Sequence, residues 1–278
     1  MKGAVTHQAA KDDAVPEKDF HAPAPGTQPE GVTGERAAAD YVRTMFAEIA
    51  PRYDLLNHLL SLSMDRVWRW RTARRFRTIL QRPDAQVVDL CCGTGDLTLA
   101  LERRAGATAA APAVRAARRI LGADFAQPML VRAAAKASRA SSHTKYLAAD
   151  SLSLPFADSS FDLVTAAFGF RNLANYQRGL EEIARVLKPG GEVGILEFSA
   201  PRWWPMAPLY RFYFRRILPR IGGKISGSTQ AYQYLPGSVA KFPEPEELAK
   251  WMEHAGFEDV KFETWTGGIV ALHHGRRL

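Results

Sequence analysis

The stretch Val87-Val88-Asp89-Leu90-Cys91-Cys92-Gly93-Thr94-Gly95-Asp96 decides the fold class of this 278-residue chain. It reads as a short apolar strand, a Gly-x-Gly turn and the start of a helix. Such a turn offers backbone N–H groups, and no bulky side chain, to a ligand. A dinucleotide-binding fingerprint would carry a third glycine at position 98, where this chain has Thr98. The turn therefore departs from a pyrophosphate cradle, and an aspartate precedes its first glycine by four residues.

Downstream of this turn, strands and helices alternate. The first helix is expected over Asp96–Arg104. A second strand, Ile120–Asp124, ends in an acid. A helix over Pro128–Arg139 leads to a third strand, Lys145–Ala149, followed by Asp150. Phe161–Phe168 is the fourth strand. Leu180, Ile183, Ala184 and Leu187 then share one helical face, and Lys188-Pro189-Gly190-Gly191 is expected to stop that helix. Glu192–Phe198 is the fifth strand, and Phe257–Phe262 with Gly268–Leu272 suggests a closing hairpin. This grammar predicts an α/β fold with a mainly parallel, doubly wound sheet. The Ala/Arg-rich stretch from Gly106 to Arg119 reads as an exposed extension of the first crossover.

Residues 1–36 are rich in Ala, Pro, Gly and polar residues and are expected to form a disordered leader. Residues 37–80 read as a helical cap, and 199–240 as a basic, aromatic lid within one domain spanning 37–278. The chain is 46% hydrophobic, which suits a sizeable core. No apolar run approaches the roughly 20 residues of a membrane span, and no signal-peptide core is present, so a cytoplasmic location is expected. The two cysteines, Cys91 and Cys92, are adjacent. They point to opposite faces of a strand, which disfavours a disulfide, and no metal site is expected from them.

In a doubly wound sheet, ligands bind at the carboxyl ends of the strands. Four such ends supply candidates: Asp89 with Gly93, Thr94 and Gly95; Asp124 with Phe125; Asp150 with Ser151; and Ala167 before Phe168-Gly169. Asp124 can accept both hydroxyls of a ribose, Asp150 and Ser151 can reach an adenine amino group, and Phe125 can pack on the adenine face. Asp89 would favour a cationic ligand end. This ordered set points to S-adenosylmethionine (SAM). The interval from Gly95 to Asp124 exceeds the roughly 20 residues of a dinucleotide fold, and the extension accounts for the excess.

Four further stretches carry a more specific resemblance. They are Tyr53-Asp54-Leu55-Leu56-Asn57, Phe168-Gly169-Phe170-Arg171-Asn172, Leu196-Glu197-Phe198-Ser199 and Val270-Ala271-Leu272-His273. From about Tyr41 to Gly275 the chain resembles the class I SAM-dependent C-methyltransferases of ubiquinone and menaquinone biosynthesis. The Asp-Leu-Cys-Cys-Gly-Thr turn looks more like the menaquinone branch. The resemblance implies a Rossmann-like seven-stranded sheet with helices on both faces, an N-terminal helical cap and a helical lid. It implies methyl transfer from SAM to a ring carbon of a prenylated hydroquinone. Arg171 would stabilise phenolate charge, Asn172 would orient it, and Tyr53 would bond a ring oxygen or a water. His273 is the weaker candidate for a base. Ala167 departs from relatives that carry Ser there, so one polar cofactor contact is absent or made by backbone.

The net charge of +8 and pI near 9.6 invite anionic partners. No Asp or Glu lies between Phe198 and Phe242, where Arg202, Trp203, Trp204, Arg211, Arg215, Arg216 and Arg220 fall. This favours an anionic membrane surface over nucleic acid, with the enzyme peripheral on the inner face of the membrane, as a homodimer or within a quinone-synthesis assembly. An RNA methyltransferase and a non-catalytic SAM-binding protein are the competing readings.

Overall fold

The computed structural model describes residues 26–106, 119–201, 208 and 229–278. Most of the expected leader, the Ala/Arg-rich extension and the basic aromatic segment around Arg202–Lys224 lie outside the described residues. Four helices precede the sheet: α1 (Glu35–Ile49), α2 (Tyr53–Leu60), α3 (Met64–Arg75) and the single turn α4 (Arg77–Leu80). Strands and helices then alternate as β1 (Gln86–Leu90), α5 (Asp96–Gly106), β2 (Arg119–Asp124), α6 (Gln127–Arg139), β3 (Lys145–Ala148), β4 (Phe161–Ala167), α7 (Tyr176–Val186) and β5 (Leu187–Phe198). The chain closes with α8 (Thr229–Lys241), α9 (Pro245–His254), β6 (Phe257–Trp265) and β7 (Val270–Arg277).

The seven strands form one sheet in the order β3-β2-β1-β4-β5-β7-β6. The pairings among β1 to β5 are parallel, and β7 runs antiparallel between β5 and β6. The strand order reverses direction between β1 and β4, which places the crevice beside the Gly-x-Gly turn. Strands β1 and β4 are buried along almost their whole length and are mostly apolar, as helices on both faces demand. Helix α7 buries Leu180, Ile183 and Val186 against the sheet, and the Asn175 side chain caps it by accepting from the Arg178 N–H at 3.0 Å.

Two local expectations are corrected. Helix α7 ends at Val186, and Lys188-Pro189-Gly190-Gly191 already belongs to β5. Pro189 has no N–H for the ladder and Gly190 adopts φ 75°, so the register skips from Leu187 opposite Phe161 to Glu192 opposite Leu163. The chain is also packed earlier than residue 37. The Thr27 N–H donates to the Leu173 carbonyl at 2.7 Å, and a Cβ added at Gly26 would lie 1.8 Å from the Ala174 carbonyl oxygen. Only glycine allows that approach of two backbones.

Candidate functional site

The turn after β1 is held in a conformation that L-residues avoid. Cys91, Gly93 and Gly95 have φ of 49°, 55° and 82°. A side chain at Gly95 would also meet the Tyr146 hydroxyl at 2.6 Å. Asp124, at the end of β2, secures this turn. One carboxylate oxygen accepts from the Gly93 N–H and the other from the Ala126 N–H, each at 2.8 Å. Burial raises the Asp124 pKa against these bonds. Across the crevice, Phe168 leaves β4 at φ 59°. A Cβ on Gly169 would fall 2.2 Å from that of Cys91, so the ends of β1 and β4 interlock.

Two cavities that share Tyr53 and Cys91 lie at these strand ends. The larger, about 650 Å³, is lined by Tyr53, Gly93, Asp124, Phe125, Asp150, Ser151 and Asn172 among the expected residues. Phe46, Met129, Leu152 and Leu173 give it apolar walls. Asp150 is exposed and accepts from the Leu152 N–H at 2.9 Å, while the Ser151 hydroxyl lies 3.6 Å from the Cys91 thiol. The smaller cavity, about 290 Å³, holds Asp89, Thr94 and Ala167 with Arg69, Asp96, Cys91 and Cys92. Tyr53, the first residue of α2, borders both. Its burial raises the phenol pKa, more than its bond with Asn57 and the nearby Arg69 and Arg171 lower it, so it stays a proton donor at neutral pH. Gly95 and Arg171 line neither cavity.

Asp89 is fully buried and accepts from the hydroxyls of Thr98 at 2.7 Å and Thr165 at 2.8 Å. It is thus a hub joining β1, α5 and β4 as well as a wall of the smaller cavity. Burial pushes its pKa up to about 7 despite those bonds. An acid whose folded pKa is raised loses folded-state stability as pH climbs from the unfolded value, near 4, through 7. An Asp89→Asn variant, whose amide can still bond both hydroxyls, should escape this cost. Urea midpoints measured across that window should show the wild type falling by roughly 3 kcal/mol relative to the variant.

Thr94 and Asp96, which line the smaller cavity, have partners that the Gly-x-Gly pattern did not signal. Lys136 of α6 donates to Asp96 at 2.6 Å, contacts Asp54 at 2.8 Å and reaches the Thr94 hydroxyl at 3.1 Å. The Thr94 hydroxyl donates to Asp54 at 2.5 Å. This network ties the Tyr53-Asp54 stretch of the cap to the turn. Arg69 pairs with Asp65 and sits 3.7 Å from the second oxygen of Asp96, which has no hydrogen-bond partner among the described residues. His58, Asp65 and Asp96 also bring ligand-type atoms within 4.8 Å of one another, and Arg69 with its two ion pairs shares that space.

Arg171 is buried, and its guanidinium faces Glu197 of β5 at 2.9 Å and the Phe168 carbonyl at 2.5 Å. Glu197 also accepts from the Arg171 backbone N–H at 3.1 Å. The Arg171 Nε has no partner among the described residues. Burial acts to lower its pKa, but Glu197 and the nearby Tyr234 and Tyr53 outweigh that and hold it above the ordinary value. Two of the specific stretches, Phe168–Asn172 and Leu196–Ser199, are therefore joined by one buried ion pair. The third, Val270–His273, pairs with β5 alongside them, with Ala271 opposite Glu197. His273 is not part of the crevice lining. It is buried, bonds the Pro245 carbonyl at 2.9 Å and has its pKa depressed to about 4 by burial, which fits a structural residue. Tyr234 of α8 was not singled out by any pattern. Its hydroxyl donates to Asn172 at 3.0 Å and lies 2.7 Å from that of Thr27.

Cys91 and Cys92 are free thiols, and burial raises both pKa values far above the ordinary range. They pack rather than react. No helix among the described residues is long and apolar enough to cross a membrane.

The family model described as the ubiE/COQ5 methyltransferase family matches residues 34–277, the cap, the turn and both strand corners included. The chain belongs to that family. Of the four stretches quoted above, Tyr53–Asn57 and Phe168–Asn172 contribute lining residues to the two cavities. A demethylmenaquinone methyltransferase of Thermus thermophilus is 47% identical over 233 residues, covering 84% of this chain and 100% of that protein. A ubiquinone/menaquinone biosynthesis C-methyltransferase UbiE of Geobacter sp. is 42% identical over 240 residues, covering 85% of this chain and 96% of the relative. Among solved structures, the [4+2]-cyclase SpnF overlays with a TM-score of 0.60 at 16% identity, covering 92% of this chain and 99% of that one. That likeness concerns the fold alone, and a cyclase on this fold underlines that the site must argue the reaction.

Proposed function

We propose that this chain is a SAM-dependent C-methyltransferase that converts demethylmenaquinol to menaquinol. The observation that carries this reading is the pair of cavities meeting at Tyr53, one with a ribose-ready acid and apolar walls, the other small and polar. Asp124 fits a ribose diol because each oxygen, already holding one backbone N–H, keeps a lone pair for a hydroxyl. Phe125, Asp150 and Ser151 suit an adenine. Arg69 and the unpartnered oxygen of Asp96 suit the carboxylate and ammonium of an amino acid, a better match than the internally bonded Asp89. SAM supplies an electrophilic methyl group on a sulfonium. The protein's part is to hold the ring carbon about 3–3.5 Å from that methyl, exclude water and stabilise the phenolate. Tyr53 donates to a ring oxygen, Asn172 is held by Tyr234, and the Arg171 charge acts on Tyr53. As the C–C bond forms the sulfonium S–C bond breaks, leaving S-adenosylhomocysteine, and the ring carbon then gives its proton to water, which restores aromaticity.

The menaquinone substrate is favoured by the name of the Thermus relative and by the Cys-Cys turn. The ubiquinone-pathway quinol is the second reading, since the Geobacter relative's name covers both. The reading includes a location at the inner face of the membrane and no nucleic-acid partner. Purified protein should transfer label from SAM to demethylmenaquinol faster than to a 2-polyprenyl-benzoquinol, and not to total RNA. Labelled RNA with unlabelled quinol would overturn it.

Tyr234 offers a sharper check on the site. A Tyr234→Phe substitution removes the donor to Asn172 without creating a cavity. It should lower kcat about five- to tenfold, as expected for one lost hydrogen bond of roughly 1 kcal/mol, and leave the SAM dissociation constant unchanged. Full kcat would show that Asn172 needs no such support.

A further inference from the structure

We propose that the α2–α3 hairpin is a docking face that seats the protein on an anionic lipid surface. Its purpose rests on the prenylated-quinol reading, but the observation does not. Among the described residues, five of the seven exposed large apolar side chains fall on this hairpin. They are Leu55, Leu59, Leu62, Val67 and Trp70, and Leu62 is 81% exposed. Leu55 and Leu59 lie one helical turn apart, as do Val67 and Trp70, so each helix carries an apolar pair on one of its faces. Leu62 stands at the tip, at φ 51°, followed by Ser63 at φ 61°. The tip is closed by the Ser63 N–H donating to the His58 carbonyl at 2.6 Å and that of Met64 to the Ser61 carbonyl at 2.9 Å. The backbone therefore holds a bulky residue outward in a conformation that costs free energy.

Charge selects the occupant. Between residues 51 and 78 the exposed side chains include Arg52, Arg66, Arg71, Arg74, Arg75 and Arg77, and no carboxylate. The two acids of this span are already paired, the half-buried Asp54 with Lys136 and the buried Asp65 with Arg69. Arg74 packs over the Trp70 ring at 5.4 Å. Aliphatic side chains among arginines match acyl chains below anionic headgroups. A second copy is disfavoured, because a two-fold contact on this face would bring its arginines together. Nucleic acid is disfavoured, because four of the five apolar groups are aliphatic and give bases nothing to stack on. Tyr53 begins α2 and borders both cavities, so a docked hairpin sets the crevice against the lipid in which a prenyl tail is dissolved.

The test uses the full chain and vesicles of phosphatidylglycerol with phosphatidylcholine, free of quinol. The wild type should cosediment with them, less so in high salt and not with phosphatidylcholine alone. Leu62→Ser/Trp70→Ser and, separately, Arg66→Glu/Arg74→Glu should each weaken binding at least about tenfold. Both should keep wild-type SAM affinity and circular dichroism, because none of these residues lines a cavity. Wild-type binding by both variants, or no vesicle binding by the wild type, overturns the proposal. So does a dimer that the first variant converts to monomer with vesicle binding intact. Vesicle binding that behaves as expected beside an inability to methylate any quinol would instead overturn the proposed function.

Discussion

Replacing Arg171 with Met should lower the unfolding free energy by about 3–5 kcal/mol, and replacing Glu197 with Gln in the same chain should return most of it. The reasoning starts from burial. Both side chains are almost completely inaccessible, and they pair at 2.9 Å. Removing the guanidinium leaves a carboxylate with no cation in a place where water cannot reach it. Glu197 keeps its bonds from the backbone N–H groups of Arg171 and Phe198, both at 3.1 Å, but these do not neutralise it. A glutamine can still accept one of them and carries no charge. Chemical denaturation of the two single variants and the double variant gives the cycle directly.

The same cycle separates structure from catalysis. If the Arg171 charge stabilises a phenolate, the refolded double variant stays on the order of a hundredfold down in kcat, the scale of losing one oxyanion-stabilising group. If the ion pair only joins the two strand ends, kcat recovers with stability. SAM affinity should be unchanged throughout, because Arg171 lines neither cavity.

This corner also shows how far the sequence could be read. The periodicity of β1, β4 and α7 was legible because a strand covered on both faces must be apolar and a covering helix must be amphipathic. The placement of Asp124 at a strand end was legible because the alternation of strands and helices reveals where strands end. What the pattern could not carry was pairing across the fold. Nothing in the sequence around Arg171 marks Glu197, 26 residues on, as the acid that holds it. Asp89 looked like a ligand-facing acid until Thr98 and Thr165 were seen to occupy both oxygens. Lys136 and Tyr234 carry no local signal, since a lysine on a surface helix and a tyrosine in an uncharged segment are ordinary. Only tertiary contact makes them part of the site. The same holds for the α2–α3 face, whose Leu and Trp residues look like core until their exposure is measured.

Asp124→Asn should raise the SAM dissociation constant on the order of a hundredfold while leaving kcat at saturating SAM within a few-fold. Two effects act together. Each carboxylate oxygen accepts from a backbone N–H, so an amide nitrogen at either place would face Gly93 or Ala126 donor to donor. The turn then shifts or the amide rotates away. The ribose also loses a charged acceptor, and hydrogen bonds to charged groups contribute roughly 1.5–3 kcal/mol each. Two such bonds account for the predicted factor. The pH dependence supplies a second readout. Burial raises the Asp124 pKa, so protonation in the free enzyme begins at a higher pH than for an exposed carboxylate. Wild-type affinity should therefore weaken as pH falls through that raised value, and the Asn variant should show a flat profile over the same range. Calorimetric titration with S-adenosylhomocysteine as well as SAM keeps the ribose contact and removes the sulfonium charge. An equal loss for both ligands assigns Asp124 to the ribose. A loss confined to SAM would place its charge at the methyl-bearing end instead, and affinity within threefold of wild type would remove it from the site.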